Sequence, residues 1–340
     1  MKRELYYILL GMASLCWGCS ESEDIAASGG DESITFKLST KAGGITQTVS
    51  DQQQARLFVA ERLSEHVNKP GEELEGLHCG LDKRYDLPGG HLTLSGLFGQ
   101  WYKFAFVCVP KPGGDESMGK ALFEAFDPKN NATEHDFNKL MINYEPVLRY
   151  QQEKQAADNE DLAIYREVIN RWVDPVNPTT EDVVMTRITG ELIIDLGIPV
   201  DQFEHPVEKI VLHVPKMLDR IYIRDRSNGE IIQDETARID DYIFICSVNN
   251  ENMHKRQTIR FSLLPQVLNG AYLEVSYTDS TKPDIFMLQS KASTAVEVRK
   301  NVKTTVLFNG YKKDWFEVRY AGFDDQADID VDNDDWDGWN

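Results

Sequence analysis

Long apolar runs are nearly absent from this sequence. The one candidate, residues 5–15, is shorter than the roughly 20 apolar residues that a permanent bilayer span needs. Positive charge is also scarce. Thirty-six Lys and Arg stand against 56 Asp and Glu, for a formal net charge of -20. A surface this acidic repels phosphate, so nucleic acid and anionic lipid headgroups are disfavoured as partners. Five cysteines in 340 residues are too few for a disulfide-built scaffold. An apolar fraction of 41% suffices for a sizeable core without disulfide or metal staples.

Catalytic signatures are missing as well. There is no Gly-x-Ser-x-Gly elbow, no His-Glu-x-x-His helix, no P-loop and no Rossmann glycine pattern after a strand. His135 follows Glu134, but no second histidine lies one helical turn further on. The seven histidines are scattered singly, and in so acidic a chain paired carboxylates carry no information. The expectation is therefore no enzyme, no cofactor and no metal site.

What is present begins at the first residue. Met1-Lys2-Arg3 and the apolar run form a secretory signal over residues 1–18. Gly18 directly precedes Cys19, which resembles the bacterial lipobox, although Cys16 stands where that pattern favours Leu. Leu15 is too large a residue before Cys16, so Cys19 is the expected lipidation site. A plain secretory signal with an incidental cysteine is the alternative. The acidic run at residues 20–24 resembles the surface-export signal of Bacteroidetes lipoproteins, or else is an ordinary solvated linker. Residues 19–32 read as a flexible tether. Loss of residues 1–18 removes Lys2, Arg3 and Glu4, taking the net charge from -20 to -21. Cys246 closes an apolar run at 242–245 and reads as a buried thiol. Cys79 and Cys108 either pair or are two small core residues.

Strand patterning dominates the body. Residues 33–39 alternate apolar and polar, residues 56–60 form a second candidate, and residues 101–109 are almost continuously apolar. The last should lie mid-sheet, packed on both faces. Residues 118–126, the Phe137, Leu140 and Met141 cluster, and residues 160–173 carry helical spacing, the last with Leu162, Tyr165, Ile169, Trp172 and Val173 on one stripe. Residues 175–180 read as a linker, and strand signals then recur to residue 320, separated by turn dipeptides such as Asn269-Gly270. The predicted fold is all-β with short helical insertions: a domain over 33–179, a second sandwich over 180–320, and an acidic tail over 321–340. In that tail, residues 328–332 alternate Asp with Ile and Val. This suits an extended, strand-capable segment; disorder and calcium binding are alternatives, although Asn333 stands where a calcium loop needs glycine.

Several patches, in order, resemble the FimB/Mfa2 fimbrial-anchor family of Bacteroidetes. They are His135-Asp136-Phe137-Asn138-Lys139-Leu140-Met141; Ile164-Tyr165-Arg166 with Asn170-Arg171-Trp172-Val173-Asp174-Pro175; Met185-Thr186-Arg187-Ile188-Thr189-Gly190-Glu191-Leu192; and Asn301-Val302-Lys303-Thr304-Thr305-Val306-Leu307. The resemblance implies two transthyretin-like β-sandwich domains in tandem, an outer-membrane lipid anchor on Cys19, and fimbrial subunits as partners bound by strand complementation. It also makes Arg56, before Leu57-Phe58-Val59, a candidate processing site of the kind stalk pilins carry, whereas an anchor should stay uncut. The rival is a glycan-binding surface lipoprotein using Trp101, Trp172 and Trp315, disfavoured because Trp101 and Trp172 sit in segments that read as buried.

Overall fold

A computed structural model of the chain describes residues 33–49, 53–61, 79–85, 90–95, 97, 99–110, 137, 140–153, 162–174, 177–225, 231–233, 238–248, 254–308 and 316–323. The signal peptide, Cys19, the tether, residues 118–126, Trp315 and the acidic segment from residue 324 onward lie outside these.

The first sheet has eight strands. They are β1 (Ser33–Ala42), β2 (Ile45–Thr48), β3 (Gln53–Glu61), β4 (Cys79–Tyr85), β5 (His91–Ser95), β6 (Trp101–Pro110), β8 (Tyr165–Trp172) and β9 (Thr179–Arg187). The order is β2-β1-β9-β8-β6-β3-β4, with β5 also paired to β1. The alternation read in the sequence sets which core each residue enters. Leu57 and Val59 of β3 and Phe104, Phe106 and Cys108 of β6 fill one core. Their neighbours Phe58, Ala60, Ala105, Val107 and Val109 fill another. Strand β6 is thus packed on both faces, as its apolar run predicts.

The second part pairs β10 (Gly190–Asp195) with β15 (Thr258–Leu263) and, in parallel, with β20 (Val302–Leu307), which in turn pairs β21 (Glu317–Gly322). A second sheet runs β14 (Arg238–Ser247), β11 (Val207–Leu218), β17 (Tyr272–Tyr277) and β18 (Asp284–Met287). Leu212, Phe244, Leu273 and Phe286 share its inner face and pack into the same core as Leu192, Ile194 and Phe261 of the facing sheet. Two sheets packed face to face make a β-sandwich. The handover between the two parts falls at Ile188-Thr189, between β9 and β10. There is no room for a side chain at Gly190: a Cβ would meet the Arg299 carbonyl oxygen at 2.3 Å.

Two stretches expected to be helical from periodicity are not α-helix: the second, at Phe137, Leu140 and Met141, holds Phe137 in a 3-10 turn and only Met141 in a strand. Residues 165–172 form β8, paired with β6 from Trp101↔Trp172 to Cys108↔Tyr165. Without β8 that edge of β6 would lack these backbone bonds, and the adjacent β-branched Val168 and Ile169 suit a pleated surface better than a helix. Met141 likewise opens β7 (Met141–Asn143), which pairs β12 (Arg220–Asp225). The one α-helix among the described residues, α1 (Glu145–Glu153), was not anticipated. Asn143 Oδ1 accepts the Glu145 N–H at 3.1 Å and Pro146 sits in the first turn, both ordinary helix-start features. Buried Gln151 then ties α1 to β15: its side-chain oxygen accepts the Ser262 N–H and its amide donates to the Ser262 carbonyl, each at 2.8 Å.

Candidate functional site

No group of three or more His, Cys, Asp or Glu among the described residues is placed to hold a metal ion. No helix among them is long and apolar enough to cross a membrane. Four features are placed to bind something.

The first is the seat of β1. Ile34, Phe36 and Leu38 face inward from it and are at most 2% exposed. Phe36 lies edge-on to both Phe104 and Phe106, with ring centroids 5.0 Å apart in each case. Strand β1 pairs β9 in parallel on one side, and β5 then β2 antiparallel on the other. It therefore fills a groove between strands that come from elsewhere in the chain. Removing it would uncover an apolar slot and two rows of unpaired backbone groups.

The second is the outer face of the β14-β11-β17-β18 sheet. The register lines up Ile245, Val211, Glu274 and Ile285 in one row, and Ile243, His213, Tyr272 and Met287 in the next. His213 stacks on Tyr272 with ring centroids 4.3 Å apart. At the rim, Ile285 is 52% and Met287 42% exposed. Among the described residues β18 pairs with β17 alone, so it ends the sheet with two solvent-facing apolar side chains. Alternation about Phe286 was the sequence signal for these residues, and Pro283 and Asp284 at the strand start suit an edge.

The third is a cavity of about 630 Å³ beside β16 (Gln266–Val267) and β19 (Glu297–Val298). Lys216, Arg238, Arg299 and Lys300 line it, with Glu297 as the acidic lining residue. Lys216 reaches Asp240, and Arg299 bonds Glu297 at 2.8 Å. These cations come from three separate stretches of the sequence, and pairing between strands is what brings them together.

The fourth is the pair Trp101 and Trp172, opposite each other on β6 and β8 with ring centroids 6.2 Å apart. The sequence reading placed Trp172 on a buried helical stripe. It is instead 48% exposed, the last residue of β8. Trp101 is only partly buried.

The cysteines fall as follows. Cys108 and Cys246 are both free and buried, which rules out a Cys79–Cys108 disulfide here. Burial pushes each thiol up to about 12, away from reactive thiolate. Arg56 sits mid-strand in β3, paired with Arg84 on one side and Val107 on the other, with its guanidinium 5.0 Å from the Phe58 ring centre. A protease needs an extended, free segment, so the native sheet shields this bond.

The geometry can be compared with that of solved proteins. A DUF1812 protein from Bacteroides thetaiotaomicron, designated a candidate polysaccharide-binding protein, superposes with a TM-score of 0.50 at 9% identity, over 87% of this chain and 99% of its own. This chain shares its fold. Also similar are a fimbrial assembly protein from Parabacteroides distasonis (TM-score 0.41, 11% identity, 86% and 96% covered) and the fimbrial anchor protein Mfa2 of Porphyromonas gingivalis (0.41, 8%, 86% and 98%). The all-β expectation holds. No protein-family model matches the chain, and no curated protein does.

Proposed function

We propose that the chain is a fimbria-assembly subunit of the bacterial outer surface, tethered through an acylated Cys19 and docking onto neighbouring pilins by strand pairing. The observation that carries this is β18, which ends its sheet among the described residues with Ile285 and Met287 exposed. Lys282, Pro283 and Asp284 blunt the start of this edge, and the exposed Ile285 and Met287 that follow them suit a partner strand. Strand β1 supports an anchor or terminal role, because the chain already fills its own groove and Arg56 is shielded. The lipid would be the membrane contact, several acyl chains on one cysteine holding firmly where a single chain would not.

Protein purified from its own cells tests this in two readouts. Its mass should correspond to a chain starting at Cys19 with acyl chains attached; an unmodified start there contradicts the anchor. Purified full chain should capture fimbrial subunits, and the Ile285→Lys/Met287→Lys variant should bind them at least about tenfold more weakly, a loss of about 1.4 kcal/mol. Unchanged capture contradicts docking through β18.

The half-exposed Trp172 beside Trp101 favours a second reading, glycan binding, since sugars stack on aromatic faces. Loss of binding to a glycan panel in Trp172→Ala, with pilin capture intact, would establish it as a separate activity.

A further inference from the structure

The C-terminal sandwich ends in β15 and β14 on one side and in β21 and β18 on the other, among the described residues. Helix α1 lies across the first side. Phe244 of β14 and Phe261 of β15 pack there with ring centroids 4.7 Å apart, and Val147 and Leu148 of α1 are fully buried in the same core. Ser262 of β15 is opposite Glu191 of β10, yet its N–H and its carbonyl both bond the Gln151 side chain, each at 2.8 Å. The Tyr144 hydroxyl donates to the same carbonyl at 2.9 Å. One carboxamide thus takes the place of one peptide unit of a further strand. On β14, Gln152 donates to the Ile243 carbonyl at 2.8 Å. Adjacent side chains of one helix therefore hold backbone groups of both edge strands.

We infer that α1 is an edge guard, which withholds the β14–β15 side from strand pairing so that the sandwich takes a partner strand on the β18 side alone. The inference rests on the reading of β18 as the docking edge. Its consequence is polarity. The sheet ordered β14-β11-β17-β18, if open at both ends, could add copies of itself head to tail, and such a contact does not close. Closing the β14 end makes the chain a terminus, which is the property an anchor or tip requires. A helix suits the guard because its own backbone bonds run along its axis. It takes up the free groups of β14 and β15 without passing a new edge to the next molecule. Burial of Gln151 follows from the same role, since a buried carboxamide is tolerated only with its bonds made.

Sedimentation of the full chain in detergent tests this. The parent should stay monomeric at every concentration. In Gln151→Ala/Gln152→Ala, faster exchange of the Ser262 amide with solvent signals that the edge is open. That variant should associate, its average mass rising at least about twofold with concentration as open sheets join head to tail. Adding Ile285→Lys/Met287→Lys should return it to monomer, because β18 is the strand that seats on the opened side of the next copy. Gln152 is exposed, so Gln152→Ala alone leaves the core intact and should associate in the same way if the double variant does not fold. A parent that self-associates, glutamine variants that stay monomeric with the edge open, or association that survives the β18 changes would overturn the guard. Capture of fimbrial subunits by the parent is read separately. Capture intact beside monomeric glutamine variants removes the guard alone, whereas absent capture removes the docking reading.

Discussion

Replacing Phe36 by alanine should destabilise the N-terminal sheet by about 3–5 kcal/mol, the usual cost of emptying a buried phenylalanine site. Phe36 is fully buried and meets Phe104 and Phe106 edge-on, so the loss removes two aromatic contacts as well as area. Relaxation is restricted, because β1 is pinned by β9 on one side and by β5 and β2 on the other. Equilibrium unfolding in urea, followed by a probe in this sheet such as Trp101 fluorescence, measures the change. A loss under about 1 kcal/mol, the range of ordinary surface substitutions, would mean that β1 is not seated as described. The same variant should raise exchange of the β1 amides with solvent, since the strand's own backbone bonds would open more often.

The second large effect is expected at Asp195. Its side chain is 1% exposed and faces Arg256, itself 13% exposed, in a two-pronged pair: Arg256 Nε donates to Oδ1 at 2.6 Å, and a terminal guanidinium nitrogen donates to Oδ2. Oδ1 also accepts the Gly197 N–H at 2.9 Å, and the Asp195 carbonyl accepts the Phe308 N–H at 2.7 Å. The carboxylate thus ties the end of β10 to Arg256 and to the turn at Gly197, while the backbone carbonyl holds the residue that follows β20. Asp195→Ala would take both of these bonds from a mostly dry guanidinium, which costs about 3–5 kcal/mol. Adding Arg256→Met should recover part of this, because the orphaned charge is then gone; the two changes are coupled and should not sum. Thermal unfolding of the C-terminal sandwich by calorimetry tests both. A single variant as stable as the parent, or a double variant as costly as the sum, would show that the pair is solvated in practice.

These sites mark where the sequence could be read and where it could not. Residues 101–109 announced a strand buried on both faces, and residues 33–39 a strand with one buried face, because a period of two is preserved in the residues themselves. Residues 165–172 misled because Tyr165, Ile169 and Trp172 also fit a helical stripe. Their strand is decided by the free edge of β6, a long-range demand absent from the local pattern. Helix α1 was readable in principle from Asn143 and Pro146, but polar residues such as Gln151 and Gln152 dilute its apolar stripe. The docking features were hardest. An edge strand is defined by the strand missing beside it, and the cavity gathers Lys216, Arg238, Arg299 and Lys300 from segments that meet only after the sheets form. The handover at Ile188-Thr189 was hidden for a similar reason: β9 and β10 read as one apolar stretch, and only their different partners separate them.

A photoreactive side chain placed at position 285 in living cells tests the docking claim most directly. Illumination should link the protein to a second fimbrial subunit through β18, with a yield well above that from the same group at exposed Lys291. A yield at 285 no higher than at 291, or adducts with lipid and glycan alone, would contradict an assembly role exercised through that strand.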